Sequence, residues 1–295
     1  MSRTAPATLH SGFVEVDGLK LHHTYGGRGS PPVLLVHGLG SSGYIEWRFN
    51  LSELATRHRV LAPDLPGFGR SEKPPARYGI PYFVRTIDRY LDARGIRAAT
   101  VVGASLGGRI AMELALARPR RVMKLVLVNA LGLGRPRLRV FYPLVTLPHV
   151  GETLMRAARE AVRRAPPRVI RQVASRYAGR SADLERVMDD GYLADLREMY
   201  AQDGYPEAYL STVRSLVTPR ALVDSHDLTR KLRRIEVPVQ LIWGADDPLF
   251  PVDHATRAHR ALPDARLTVI EGAGHSPQAE RPEEFNRVLT RFLDS

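Results

Sequence analysis

The stretch Thr100–Gly108, TVVGASLGG, constrains this chain more than any other. An apolar run, Ala99-Thr100-Val101-Val102, leads straight into Gly103-Ala104-Ser105-Leu106-Gly107, and a helix-like pattern follows from Leu106 to Ala117, stopped by Pro119. A G-x-S-x-G pattern carries weight only between a strand and a helix, and this one stands there. A nucleophile held at the tip of so sharp a turn needs strained backbone at its own residue, and the segments beside it pass too closely to admit a Cβ. Gly103 and Gly107 therefore flank Ser105 for a steric reason. The following helix points its N-terminus at the serine and favours negative charge developing there.

Around this elbow the chain alternates strands and helices. Phe13–Val16 and Leu19–His22 alternate in polarity about Asp17-Gly18, which predicts a tight antiparallel hairpin. Val33–Val36, Val60–Ala62, Ala99–Val102 and Leu125–Val128 are short apolar runs of the kind buried on both faces of a parallel sheet. Helix-like stretches lie between them at 45–57, 82–93 and 106–117. After Asn129 the character changes. Residues 131–230 carry no buried-strand signal, are Arg-rich and helical, and are broken at Pro143, Pro148, Pro166-Pro167, Pro206 and Pro219. Val169, Val173 and Tyr177 recur at helical spacing and predict one apolar face. Strand patterns return at 239–243 and 266–270, with a helix near 253–262 and a last one from Pro282 to Leu293. The expected architecture is α/β: a mostly parallel, doubly wound sheet from residues 1–130 and 231–295, with a helical lid, 131–230, inserted between them.

Composition removes several function classes. At 295 residues with no cysteine, the chain has room for a large core and no means of making a disulfide, a thiolate metal site or a Cys nucleophile. No run of about 18 apolar residues predicts a membrane span. The N-terminal MSRTAPATLHSGF shows no apolar signal core, so a cytoplasmic location is expected. The net charge of +12 is concentrated between Arg156 and Arg180, where eight arginines face only Glu160. No basic run with interleaved aromatics accompanies it, and no nucleic-acid partner is expected.

A serine hydroxyl needs a base on a neighbouring loop at the same sheet edge. Among ten histidines, His275 alone follows the last strand in a Gly-rich turn, Glu271-Gly272-Ala273-Gly274. His37, in the His-Gly turn after Val33–Val36, reads as structural. The imidazole needs a carboxylate to fix its tautomer, and Trp243-Gly244-Ala245-Asp246-Asp247 offers two. Asn129 follows the intervening strand and supplies none. Two backbone N–H groups are placed to hold an oxyanion, those of Leu106 and of Leu39 in His37-Gly38-Leu39-Gly40. Asp64, in Asp64-Leu65-Pro66-Gly67-Phe68-Gly69-Arg70-Ser71, reads as a loop-ordering residue.

The segments VLLVHGLG, APDLPGFGRS, VVGASLGG, LIWGADDPLFP and EGAGHSPQAERPEEF, in this order, resemble the lid-bearing α/β-hydrolase fold over nearly the whole chain. The resemblance implies a Ser105–His275–Asp247 triad, with the acid four residues after Trp243, and no metal or organic cofactor. Dehalogenases and epoxide hydrolases of this fold use an aspartate at the elbow, which Ser105 replaces. The expected activity is hydrolysis of small-molecule esters with an apolar acyl or alcohol part. Leu131, Leu133, Phe141, Tyr142, Leu144 and Leu147 near the first hinge read chiefly as lid packing. The competing readings are a carbon–carbon bond hydrolase of vinylogous diketones and a slow ligand receptor. The former resembles this chain in Asn129-Ala130-Leu131-Gly132-Leu133-Gly134 but usually has Trp after the histidine, where Ser276 stands here.

Overall fold

The central strands carry apolar side chains on both faces, so each supplies two layers at once. In the computed structural model, which describes residues 7–137, 141–216 and 227–295 (without the side chains of 141–143), this alternation is explicit. In β3 (Val33–Val36), Leu34 and Val36 join one core layer, and Val33 and Leu35 join the other. The strands β4 (Val60–Pro63), β5 (Ala99–Ala104), β6 (Val122–Val128) and β7 (Val239–Gly244) divide their side chains in the same way. On one face pack α1 (Gly43–Ala55) and the last helix (Pro282–Leu293) through Trp47, Leu51, Leu54, Phe285 and Leu289. On the other pack α2 (Ile80–Ala93) and α3 (Leu106–Ala117) through Phe83, Ile87, Leu91, Ile110 and Leu114. Each such side chain contributes roughly 2 kcal/mol on leaving water, and both layers are needed to hide a two-faced sheet.

With β1 (Leu9–Val16), β2 (Leu19–Gly26) and β8 (Ala265–Ile270), the eight-stranded sheet has the order β1-β2-β4-β3-β5-β6-β7-β8. The hairpin of β1 and β2 is antiparallel and turns at Asp17 and Gly18, both at positive φ. From β3 to β8 neighbours run parallel. The chain leaves β3 for β4 on one side and returns through β5 on the other. The crevice at the carboxyl ends of β3 and β5 is therefore a topological switch point, where α/β sheets bind their ligands. Ser105 and the His37–Gly40 loop both stand there.

The insertion contributes helices at Phe141–Thr146, Val150–Arg164, Pro167–Ala174, Leu184–Val187, Asp190–Ala201 and Tyr205–Leu216. Its two ends are tied by an antiparallel bridge, Leu133 to Asp227, and by Leu228 N–H donating to Gly132 O at 2.7 Å. Met155, Met199, Tyr205, Leu210 and Val213 extend the sheet's own core into it. The expected apolar face at Val169, Val173 and Tyr177 is not the packed one. The helix ends at Ala174, Val169 and Val173 are exposed, and Ile170 and Ala174 turn inward instead. Leu144 and Leu147 are also exposed, whereas Leu133 is fully buried. The side chains of Phe141 and Tyr142 and the break at Pro219 lie outside the described residues. No helix among the described residues is long and apolar enough to cross a membrane.

The elbow glycines are set by contact distances. A Cβ on Gly103 would lie 2.3 Å from Gly107 O, and one on Gly107 would lie 2.2 Å from Val36 O. Both opposing atoms are backbone and cannot rotate away. Gly107→Ala is therefore expected to cost about 3 kcal/mol or more, read as a fall in the denaturant midpoint at unchanged m-value. A variant with the wild-type midpoint would contradict the close approach.

Candidate active site

Ser105 has φ 51° and ψ −113°, a left-handed backbone for a residue with a side chain. Such strain costs roughly 1–3 kcal/mol and persists only when the surroundings over-determine it. They do: Ser105 N–H donates to Val128 O at 2.9 Å, and Ser105 O accepts from Leu131 N–H at 3.0 Å. The turn is pinned from the neighbouring strand, and the hydroxyl projects from the switch point.

Ser105 Oγ lies 3.2 Å from His275 Nε2, and His275 Nδ1 lies 3.0 Å from Asp247 Oδ2. The carboxylate accepts from Nδ1–H, which leaves Nε2 bare toward the hydroxyl. Asp247 is buried, and its Oδ1 accepts from the backbone N–H groups of Leu249 and Phe250 at 2.8 and 3.2 Å. The second candidate acid is engaged elsewhere. Asp246 accepts from the Arg180 backbone at 3.0 Å and pairs with the Arg180 guanidinium, which holds its carboxyl below the ordinary value.

Asn129 has a place that its lack of charge concealed. Its Nδ2 donates to Asp247 Oδ2 at 2.7 Å and to Gly274 O at 2.8 Å, and its Oδ1 accepts from Gly244 N–H at 2.9 Å. One buried amide thus ties together the ends of three strands and orients the acid. The only available signal was its position directly after β6.

Burial of His275 disfavours its charged form, but the adjacent Asp247, with Glu46 and Glu280 farther off, outweighs this and raises the imidazole above 6.5. His37 differs. It is fully buried, Leu65 N–H donates to its Nε2 at 2.9 Å, and its Nδ1–H donates to Gly38 O at 2.7 Å. Burial lowers its pKa, and the neutral ring braces the loop that carries Leu39. Asp64 orders a loop as well: Oδ1 accepts from Gly43 N–H at 2.7 Å and Oδ2 from Arg70 N–H at 2.8 Å. Leu39 and Leu106 both line the cavity beside Ser105. Leu106 opens α3, so its N–H has no acceptor within the helix.

Glu280, which the sequence reading passed over, binds the insertion to the histidine loop. Its buried carboxylate accepts from Gly274 N–H and Gly179 N–H, both at 2.7 Å, and from Ser276 N–H at 3.0 Å. His275 N–H donates to Tyr177 O at 2.8 Å. A Cβ on Gly179 would lie 2.2 Å from Gly272 O, so the two segments interlock through bare backbone. Glu280→Gln puts an amide donor among three N–H groups. We expect a loss of roughly 2–3 kcal/mol in stability, with faster tryptic cleavage at Arg180 as the direct readout.

The cavity above Ser105 holds about 420 Å³. Leu39, Leu131, Leu196, Val213, Leu249 and Phe250 give it an apolar wall, and Tyr177, Tyr192, Tyr200 and Tyr209 add aromatic rings. Its charged lining among the described residues consists of the carboxylates of Glu46 and Glu280, beside the His275 imidazole. No lysine or arginine described here reaches it, and the eight arginines from Arg156 to Arg180 all lie outside.

The α/β-hydrolase fold family model matches residues 31–282. The chain is 35% identical to an uncharacterized protein of Mycobacterium tuberculosis over 99% of its own length and 82% of the relative's. It is 30% identical to a 2-hydroxy-6-oxononadienedioate/2-hydroxy-6-oxononatrienedioate hydrolase of Paraburkholderia xenovorans, covering 95% of this chain and 92% of that one. Among solved structures, a meta-cleavage product hydrolase from Pseudomonas fluorescens superposes with a TM-score of 0.76 at 26% identity, covering 96% and 97% of the two chains. An elbow serine at the switch point of a matching sheet, a family model spanning most of the chain, and hydrolases among its full-length relatives lead to one conclusion: this chain belongs to the α/β-hydrolase fold family and is a hydrolase.

Proposed function

We propose that the protein is a serine carboxylic ester hydrolase acting on small esters with an apolar acyl or alcohol part. The observation that carries this reading is the Ser105–His275–Asp247 relay opening into an apolar, tyrosine-lined cavity. His275 Nε2 takes the Ser105 proton as Oγ bonds to the ester carbon. The backbone N–H groups of Leu39 and Leu106 hold the resulting oxyanion, each such donor contributing about 3–4 kcal/mol to lowering the barrier. The imidazolium then gives its proton to the departing alcohol. A water molecule, deprotonated by the same nitrogen, releases the acid and restores Ser105.

Carbon–carbon cleavage is the second reading, supported by the relatives and by Asn129–Gly134. The substrates those relatives are named for are dicarboxylates. The two carboxylates at the cavity wall, Glu46 and Glu280, weigh against such a dianion. Turnover of p-nitrophenyl butyrate against a 2-hydroxy-6-oxo-dienoate separates the readings. Fast ester turnover with slow dienoate turnover is expected; the reverse order overturns the proposal, and single-turnover modification alone assigns a receptor. Because the working base is neutral imidazole with a raised pKa, kcat/KM falls as pH drops through a limb above 6.5. A limb below 6.5 would contradict the assigned surroundings of His275.

A further inference from the structure

The cavity holds a carboxylate that is hydrogen-bonded to none of the three relay residues. Glu46, on α1, lines the wall beside Ser105. Its Oε2 accepts from Gly38 N–H at 3.3 Å, and its Oε1 accepts from Gln278 Nε2 at 2.5 Å. A methyl group built on Gly38 would touch both Ser105 Cβ, at 3.3 Å, and Glu46 Oε2, at 3.5 Å. One methyl group thus spans the gap between this charge and the nucleophile. Neither contact neutralises it, since one donor is an amide N–H and the other a side-chain amide. No ion pair to Glu46 occurs among the described residues.

We infer that Glu46 is a specificity-determining residue that excludes esters carrying an anionic group near the scissile bond and favours uncharged and ammonium-bearing ones. The inference rests on the ester-hydrolase reading and extends it to a substrate class. An anionic acyl tail entering this cavity meets like charge at short range in a partly desolvated space, where unit charges interact far more strongly than in water. A cationic tail meets the opposite charge of the same carboxylate, among the rings of Tyr177, Tyr192, Tyr200 and Tyr209. Glu280 adds negative potential from the histidine side of the same wall, but three backbone donors already hold its charge. Glu46 is the less compensated of the two and the nearer to the oxyanion loop.

Three p-nitrophenyl esters of matched acyl length test this: pentanoate, monoglutarate and 4-(trimethylammonio)butanoate. In wild type, kcat/KM for the monoglutarate should fall at least about tenfold below pentanoate, and the ammonium ester should equal or exceed pentanoate. Glu46→Gln should compress both ratios to within about twofold. Gln278 Oε1, a buried acceptor without a partner, can receive the new amide after rotation of Gln278, so the substitution leaves a satisfied pair. Glu46→Asp, which keeps the charge, should keep the discrimination and separates charge from packing. Comparable wild-type turnover of all three esters overturns the inference and leaves the ester-hydrolase reading intact, as do ratios unchanged by Glu46→Gln. Failure to hydrolyse any of them, with Ser105 unlabelled by a fluorophosphonate, overturns both.

Discussion

Ser105→Ala lowers kcat for p-nitrophenyl butyrate by about a millionfold, to the level left by binding and oxyanion stabilisation alone. The same variant loses labelling by a fluorophosphonate. Its fold survives, because the elbow is held by the Ser105 backbone, bonded to Val128 and Leu131, and not by the hydroxyl. Alanine inherits the left-handed φ of 51° and its strain, whereas glycine does not. Ser105→Gly should therefore be the more stable inactive variant, by about 1 kcal/mol in thermal unfolding. A Ser105→Ala protein retaining a tenth of wild-type turnover would remove the nucleophile and the mechanism with it.

Asp247→Asn lowers kcat by about ten-thousandfold, through the tautomer. An amide facing His275 Nδ1 can donate, which places the ring proton on Nε2, where Ser105 needs a bare nitrogen. The adjacent Asp246→Asn supplies the contrast. Its carboxylate pairs with the exposed Arg180 guanidinium and bonds to none of the relay residues, so kcat should change by no more than a few-fold. Equal losses at both positions would mean that the loop conformation, and not the relay, sets the rate.

What could be read from the sequence was short-range. The elbow, the apolar strands and the last helix each announce themselves within a dozen residues through sterics and periodicity. α3 and the final helix accordingly fall on the expected spans, Leu106–Ala117 and Pro282–Leu293. Asn129 was opaque for the converse reason, since its partner Asp247 lies 118 positions away, and so was the tie from Glu280 to the insertion, since Gly179 lies 101 positions away. Polarity does not reveal a buried amide's partner across that distance. The insertion misled through local pattern. Val169, Val173 and Tyr177 keep helical spacing, but the helix stops between the second and third, and Tyr177 faces the cavity from a different segment.

The interlock between Tyr177–Ser181 and Gly272–Ser276 has an evolutionary and an engineering consequence. Because its ends meet at Leu133 and Asp227, the insertion looks like a cassette that could be exchanged whole for another. Yet part of the histidine's own mooring is encoded inside that cassette. A transplanted cap would bring a new pocket and leave the imidazole adrift unless the glycine at 179 and the carbonyl at 177 travelled with it. The pocket wall and the placement of His275 are thus encoded in one segment, and a library that shuffles caps on this scaffold should recover active members chiefly among those that retain that five-residue graft.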